Sequence, residues 1–212
     1  MSAPQPVRPL ILACGALAGD LRAVLRASGL DAAVDIEYLP ANLHMRPQLI
    51  VGELQPRLEA AVAAGRPVFV GYADCGTGGQ LDALLVTHPE IGRLPGAHCY
   101  EFFAGAAEFE ALQDEELGTF YLTDFLAKHF DALVWGGLGL EQHPELRDTY
   151  FANYRRVVLL AQVDDPAVTA RAEAAAGRLG LAFERRLVGQ AGLADALPTF
   201  DAPVTVRRAV RV

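Results

Sequence analysis

Long apolar runs are missing from this sequence. No window approaches the ~20 consecutive apolar residues that a membrane helix needs, so a membrane-spanning chain is not expected. The apolar stretch from Pro9 to Ala18 is short, follows two prolines and a single arginine, and is broken by Gly15. A signal peptide has a more basic start and a longer apolar segment, so a cytoplasmic location is expected. Lysine is almost absent, Lys128 being the only one, and the formal net charge is -8. That balance argues against a nucleic-acid backbone as partner, because phosphate contacts are made mainly by clustered basic side chains. Only three cysteines occur, Cys14, Cys75 and Cys99. An odd count in a reducing compartment excludes a disulfide framework and leaves core filler, metal ligand or nucleophile.

What the chain does have is apolar material: 52% of its 212 residues are hydrophobic and 21% are charged. This suffices for one α/β domain spanning 1–212. "RPLILACG" is a continuous apolar run ended by glycine, the pattern of a strand buried on both faces. A helical spacing of Leu17, Leu21, Val24 and Leu25 follows. "AVDIEYLP" alternates as a strand does, "LIVGELQPRLEAAVAAG" reads as a helix, and "PVFVGY" is a second buried strand. "GGQLDALLVT" reads as a short helix, and the spacing of Phe120, Phe125, Leu126 and Phe130 predicts a long helix over 119–135. "RVVLLAQ", "DPAVTARAEAAAGRLG" and "LAFERRLVG" complete a strand, a capped helix and a last strand, with "APVTVRRAVRV" read as an edge strand or a surface tail. Strands alternating with helices predict a doubly wound, mostly parallel, Rossmann-like sheet with helices on both faces.

Ligands in such folds bind outside the carboxyl ends of the strands. Cys14 ends one buried run, Cys75 follows another, and each precedes a glycine. Cys99 lies in a loop with Pro95 and Gly96, ahead of an aromatic segment. Three thiols on one rim point to a metal. Zinc with three protein ligands and one open position is a catalytic arrangement, and an iron–sulfur cluster with a fourth ligand from elsewhere is the alternative. His98, His44 and Glu101 are the candidates for that fourth place. Isolated cysteines are also common as small buried hydrophobes, and no C-x-x-C pair strengthens the metal reading.

Two further readings compete. "LILACG" and "YADCGTGG" superficially resemble the two strand-end cysteines of cofactor-independent amino-acid racemases, which act as acid and base. A cysteine at a helix N-terminus has a lowered pKa suited to that work. The glycine-rich segment with Thr77, Gly78 and Gly79 is a candidate to bind a small ligand, although it lacks the phosphate-loop lysine and a tight turn is the simpler account. His44 and Arg46 follow a predicted strand and are candidate ligand contacts, while Asp124 is placed to cap a helix or line a pocket. His88, His129 and His143 are read as loop, cap or surface residues, and Arg155 and Arg156 as lying at the strand end away from the rim.

Taken together, "LILACGAL", "LPANLHMRP", "VGYADCGTGGQLD", "RLPGAHCYEFFAG", "GTFYLTDFLAKHFD" and "HPELRDTYFANYRRVVLLAQ" resemble a family known as domain of unknown function 1638. The resemblance covers roughly the first three quarters of the chain. Members are often encoded beside corrinoid proteins and trimethylamine-type methyltransferases. The resemblance therefore implies a role in one-carbon methyl transfer, with a corrinoid protein or its methyltransferase as partner. It also places Cys14, Cys75, Cys99, His44, His98, Glu101 and Asp124 inside family motifs, with Cys75 and Glu101 as candidate catalytic groups. Met45 departs from the family's "LHNRP" pattern, so that side chain is not carried over as a ligand contact. The expectation is a metal-binding accessory or transfer protein. A metal-free cysteine-pair enzyme and a non-catalytic partner of a corrinoid methyltransferase are the alternatives.

Overall fold

The apolar run before Gly15 folds as a strand, β1 (Leu10–Cys14), with all five residues buried. A computed structural model describes residues 7–198. After β1 come α1 (Ala18–Ala27), β2 (Asp35–Leu39), α2 (Ile50–Ala63), β3 (Val68–Gly71), α3 (Gln80–Val86) and the two-residue β4 (Gly92–Arg93). Helices α4 (Cys99–Ala104) and α5 (Ala106–Glu115) precede β5 (Thr119–Thr123), α6 (Asp124–Lys128), a π-helical turn (Asp131–Trp135) and α7 (Leu146–Tyr150). The described chain closes with β6 (Arg156–Ala161), α8 (Pro166–Leu179), β7 (Ala182–Leu187) and α9 (Ala191–Ala196). The expected tail strand "APVTVRRAVRV" lies outside the described residues. Among the described residues no helix is long and apolar enough to cross a membrane.

The α/β class and the parallel pairing are as the sequence predicts, but the strands divide between two sheets instead of joining one. The first has the order β2-β1-β3-β4 and the second β5-β6-β7, every pairing being parallel. Two compact units correspond to them: the described residues as far as Cys99 together with those from Leu193, and Tyr100–Gly192. Periodicity marks a residue run as a strand without saying which strand it pairs with.

In the first unit β1 sits between β2 and β3, with Leu10 in register with both Asp35 and Val68. The chain leaves β1 towards one side for β2 and returns on the other for β3. The gap between β1 and β3 is therefore the switch point of this sheet. Gly71 in β3 stands opposite Ala13 in β1, and a Cβ added to Gly71 would lie 2.7 Å from the Ala13 Cβ and 3.0 Å from its Cα. Only a residue without a side chain allows this approach.

In the second unit β6 is buried on both faces. Val157, Leu159 and Ala161 join one apolar cluster with α6 and α8, while Val158 and Leu160 join another with Leu112 and Tyr121. Successive strand residues face opposite sides, so a central strand must be apolar throughout. Helix α8 carries the predicted signals: Asp165 accepts a hydrogen bond from the Ala167 N–H at 2.8 Å, Pro166 is the first helical residue, and Gly180 ends the helix at φ +75. Arg156 begins β6, at the N-terminal end as expected. Its buried guanidinium reaches Thr119 Oγ1 at 2.9 Å, the Leu112 carbonyl at 3.0 Å and the Glu184 carboxylate at 2.7 Å.

The predicted helix over 119–135 is corrected. Residues 119–123 form β5, and the helix begins only at Asp124. "TFYLT" is β-branched and aromatic, and four of its five residues are buried. That composition suits a pleated surface better than a helix, and the helical spacing of the phenylalanines reflected two elements in succession. "AHCYEFFAGAAEFEALQDE" likewise resolves into two helices broken at Gly105, which has φ +84.

The close passage of β3 over β1 gives a direct test. Gly71→Ala is expected to lower stability by ~1–3 kcal/mol, the usual cost of overpacking a core, read as a reduced midpoint in chemical denaturation.

Candidate functional site

Four loops follow the four strands of the first sheet, and the sequence dictates how they approach one another. Gly15, directly after Cys14, lies so close to the β2 exit that a Cβ there would meet the Leu39 carbonyl oxygen at 2.7 Å. A Cβ on Gly76 would meet Pro47 Cβ and Cγ at 3.3 Å. The Asp74 and Cys75 N–H groups donate to the carbonyls of Gly96 and Ala97, at 3.2 and 2.8 Å. Arg93 holds this last loop from the other side, bonding the Leu94 carbonyl at 2.7 Å and the Asp82 carboxylate at 2.7 and 2.9 Å. The rim thus joins Cys14, Cys75 and the segment carrying His98 and Cys99.

Cys75 has φ +50 and is the only residue other than glycine with positive φ among the described residues. Such a conformation is uncommon for a residue bearing a Cβ. It is fixed by the two backbone hydrogen bonds of Asp74 and Cys75 and by Gly76 at φ +82.

The two rim sulfurs share one environment. Cys14 is buried, and burial pushes its thiol pKa up against the opposing pull of the Ala16 N–H, the nearby Tyr72 hydroxyl and the Leu17 N–H. Cys75 is pushed up to about 12, first by burial, then by the proximity of Cys14, against hydrogen bonds involving the backbone of Ala73 and Cys99. Both cysteines are neutral thiols at physiological pH. The lowered pKa expected of a strand-end cysteine before a helix is not found, because removing the sulfur from water outweighs the nearby amides.

Tyr72 is the residue that the sequence reading missed. It lies one position beyond β3, is 2% exposed, and its hydroxyl has no hydrogen-bond partner of ordinary geometry. The hydroxyl interacts with the Cys14 sulfur, and both thiols raise its pKa further after burial has done so. A tyrosine at the exit of an apolar strand is itself a signal, since a buried phenol is usually placed for its polar end.

His44 lies in a 3₁₀ turn (Ala41–Met45) after β2, and its pKa is lowered by burial and by His98. The neutral imidazole is the form that ligates a metal. Arg46 is exposed immediately after that turn. The glycine loop serves Asp74: its carboxylate accepts from Thr77 Oγ1 at 2.5 Å, the Gly79 N–H at 2.9 Å and the Gly78 N–H at 3.1 Å. These bonds keep Asp74 below its ordinary pKa although burial works the other way. The Thr77, Gly78 and Gly79 donors expected to meet a ligand are thus directed at Asp74, and the segment is a tight turn opening α3.

Glu101 and Asp124 belong to the second unit. Asp124 is buried at the start of α6, receives the Val163 N–H on Oδ2 at 2.9 Å, and has an unpartnered Oδ1. Burial raises its pKa. Among the described residues, no three His, Cys, Asp or Glu side chains come together closely enough to hold a metal ion. The fit to a metal is therefore partial: a thiol pair is assembled, and a third ligand is not drawn in.

Coupling between the sulfurs is measurable. Alkylation of Cys75 followed by mass spectrometry should show a rate that keeps rising with pH above 9. Cys14→Ser should shift that profile to lower pH by removing the neighbouring charge, while burial still keeps it above an ordinary thiol's. An unshifted profile would show that the sulfurs do not interact.

The family model described as "Protein of unknown function (DUF1638)" matches residues 38–197, and the chain belongs to that family. No curated protein and no solved structure matches it.

Proposed function

We propose that this family member binds a soft divalent cation, zinc in the first place, at the β1–β3 switch point, with Cys14 and Cys75 as thiolate ligands. One observation carries the reading. Each sulfur has hydrogen-bonding groups around it that favour an anion, yet burial holds both as thiols, and the nearness of Cys14 adds to this at Cys75. Cys14 and Cys75 would hold the cation as thiolates, their protons passing to solvent, and each nearby donor would then face an anion.

Zinc is favoured over an iron–sulfur cluster because the chain has only three cysteines, whereas zinc accepts mixed cysteine and histidine sets. Neutral His44, His98 and Cys99 are the candidates to complete the site by turning inward. The metal-free acid–base reading is disfavoured by the raised thiol pKa values, which leave neither cysteine as a base at neutral pH.

A thiolate-held zinc with an open position would supply activation of a bound thiol as methyl acceptor. The chain's own residues hold the thiolate pair, exclude water around Cys14 and fix the loop carrying Cys75. A role beside a corrinoid protein or its methyltransferase rests on the family resemblance alone. It is tested by thiol-dependent demethylation of a methylated corrinoid protein, which Cys75→Ser would abolish.

Elemental analysis of anaerobically purified protein tests the core claim. Stoichiometric zinc is expected, lost in Cys14→Ser and Cys75→Ser and weakened in Cys99→Ser or His44→Ala. Iron with broad visible absorbance would reassign the site to a cluster. Metal-free protein from both aerobic and anaerobic purification, with Cys14 and Cys75 still reactive, would overturn it.

A further inference from the structure

Helix α1 turns Leu21, Val24 and Leu25 into the core of the first unit. That leaves Arg22 and Arg26, one helical turn apart, on an exposed flank. Both line a cavity of about 310 Å³ against β2, which also takes in Tyr38, Asp31 and Asp35. Its volume lies at the lower end of the range found for small-molecule sites. Among the described residues neither arginine has a carboxylate within ion-pair distance. Asp35 is already taken, since Arg8 reaches it at 3.2 Å and Arg66 at 2.6 Å. Four guanidinium groups therefore stand around two carboxylates, on a chain whose formal net charge is -8. Like charges one turn apart on a helix repel each other. Arg26, in the last turn, is favoured there by the helix carboxyl end, but Arg22 is not. Arg22 is held instead by Tyr38, its guanidinium carbon lying 5.5 Å from the centre of that ring. Stacking on an aromatic face orders a guanidinium and leaves its N–H edge open to an acceptor.

We propose that the cavity between α1 and β2 binds the oxyanion of a small organic phosphate or carboxylate, held by the Arg22 and Arg26 guanidinium groups. A planar guanidinium offers paired N–H groups to the paired oxygens that both anions carry. An anion between the two arginines also relieves their repulsion. Asp31 lines the same cavity and repels a second negative charge. The remainder of the ligand is therefore neutral or cationic, and a hydroxyl or amino group on it has Asp31 as an acceptor. The site uses neither Cys14 nor Cys75 and is independent of the proposed cation.

The test is isothermal titration of the full-length chain with glycerol 3-phosphate and with glycerate, in chloride at roughly 0.15 M, where exposed charges are screened beyond ~8 Å. Saturable one-to-one binding of at least one of them is expected, and the tighter of the two tells phosphate from carboxylate. Arg22→Gln and Arg26→Gln should each weaken it about tenfold or more, the loss typical of a charge-assisted hydrogen-bonding partner. Both changes fall on exposed side chains and leave the buried face of α1 untouched. Arg171→Gln removes the same charge from an exposed position in α8 and should leave affinity unchanged. Failure of the natural chain to bind either anion saturably would overturn the proposal, as would undiminished binding in both Arg22→Gln and Arg26→Gln. A loss in Arg171→Gln as large as theirs would also overturn it, by tracing the binding to overall charge.

Discussion

Two sulfurs in one desolvated rim, with Cys75 in reach of the charge of Cys14, set the terms for the rest of the first unit. Cys14 and Cys75 are brought there by the parallel pairing of β1 with β3, in which Ala13 stands opposite Gly71. Burial penalises the charge on each sulfur, and Cys14 adds to that penalty at Cys75. The surrounding loops are consistent with this constraint. They bring the N–H groups of Ala16 and Leu17 and the Tyr72 side chain near one sulfur, while Cys75 is held in a left-handed conformation.

The loop architecture explains how that conformation persists. Gly76, Gly78 and Gly79 take positive φ, and the Asp74 carboxylate gathers the Thr77 hydroxyl and two glycine N–H groups. Arg93 then anchors the neighbouring loop through Asp82 and the Leu94 carbonyl. These are charge-assisted bonds, which are stronger than neutral ones. They fix the backbone from which Cys75 projects and with which Cys99 is in contact. The second unit shows a comparable strand end in Asp124, whose carboxyl is buried and only half paired. It is built on a separate sheet with its own two-sided core.

Much of the fold was legible because its signals are local. The continuous apolar runs of β1, β3 and β6, the Asp165–Pro166 start and Gly180 stop of α8, and the alternation in β2 all follow from side-chain patterning over a few residues. β5 was not legible. Its Phe120 shares a helical spacing with Phe125 in α6, and the change at Thr123 is marked only by a hydroxyl that caps the Leu126 N–H at 3.3 Å. Nor was the division into two sheets, since strand partners are chosen by contacts far apart in the chain.

The sequence by itself determined the α/β class, the parallel pairing of the strands, and the placing of Cys14 at a strand end and Cys75 in the loop after the next buried strand. Burial on both faces and glycine after each cysteine are written in neighbouring residues. Only the tertiary structure decided that these two sulfurs share an environment, that the glycine-loop donors serve Asp74, and that Tyr72 belongs with the thiols. It also decided the charge state. A thiol's pKa depends on how much water the fold removes and which dipoles replace it, and neither quantity resides in any one stretch of sequence.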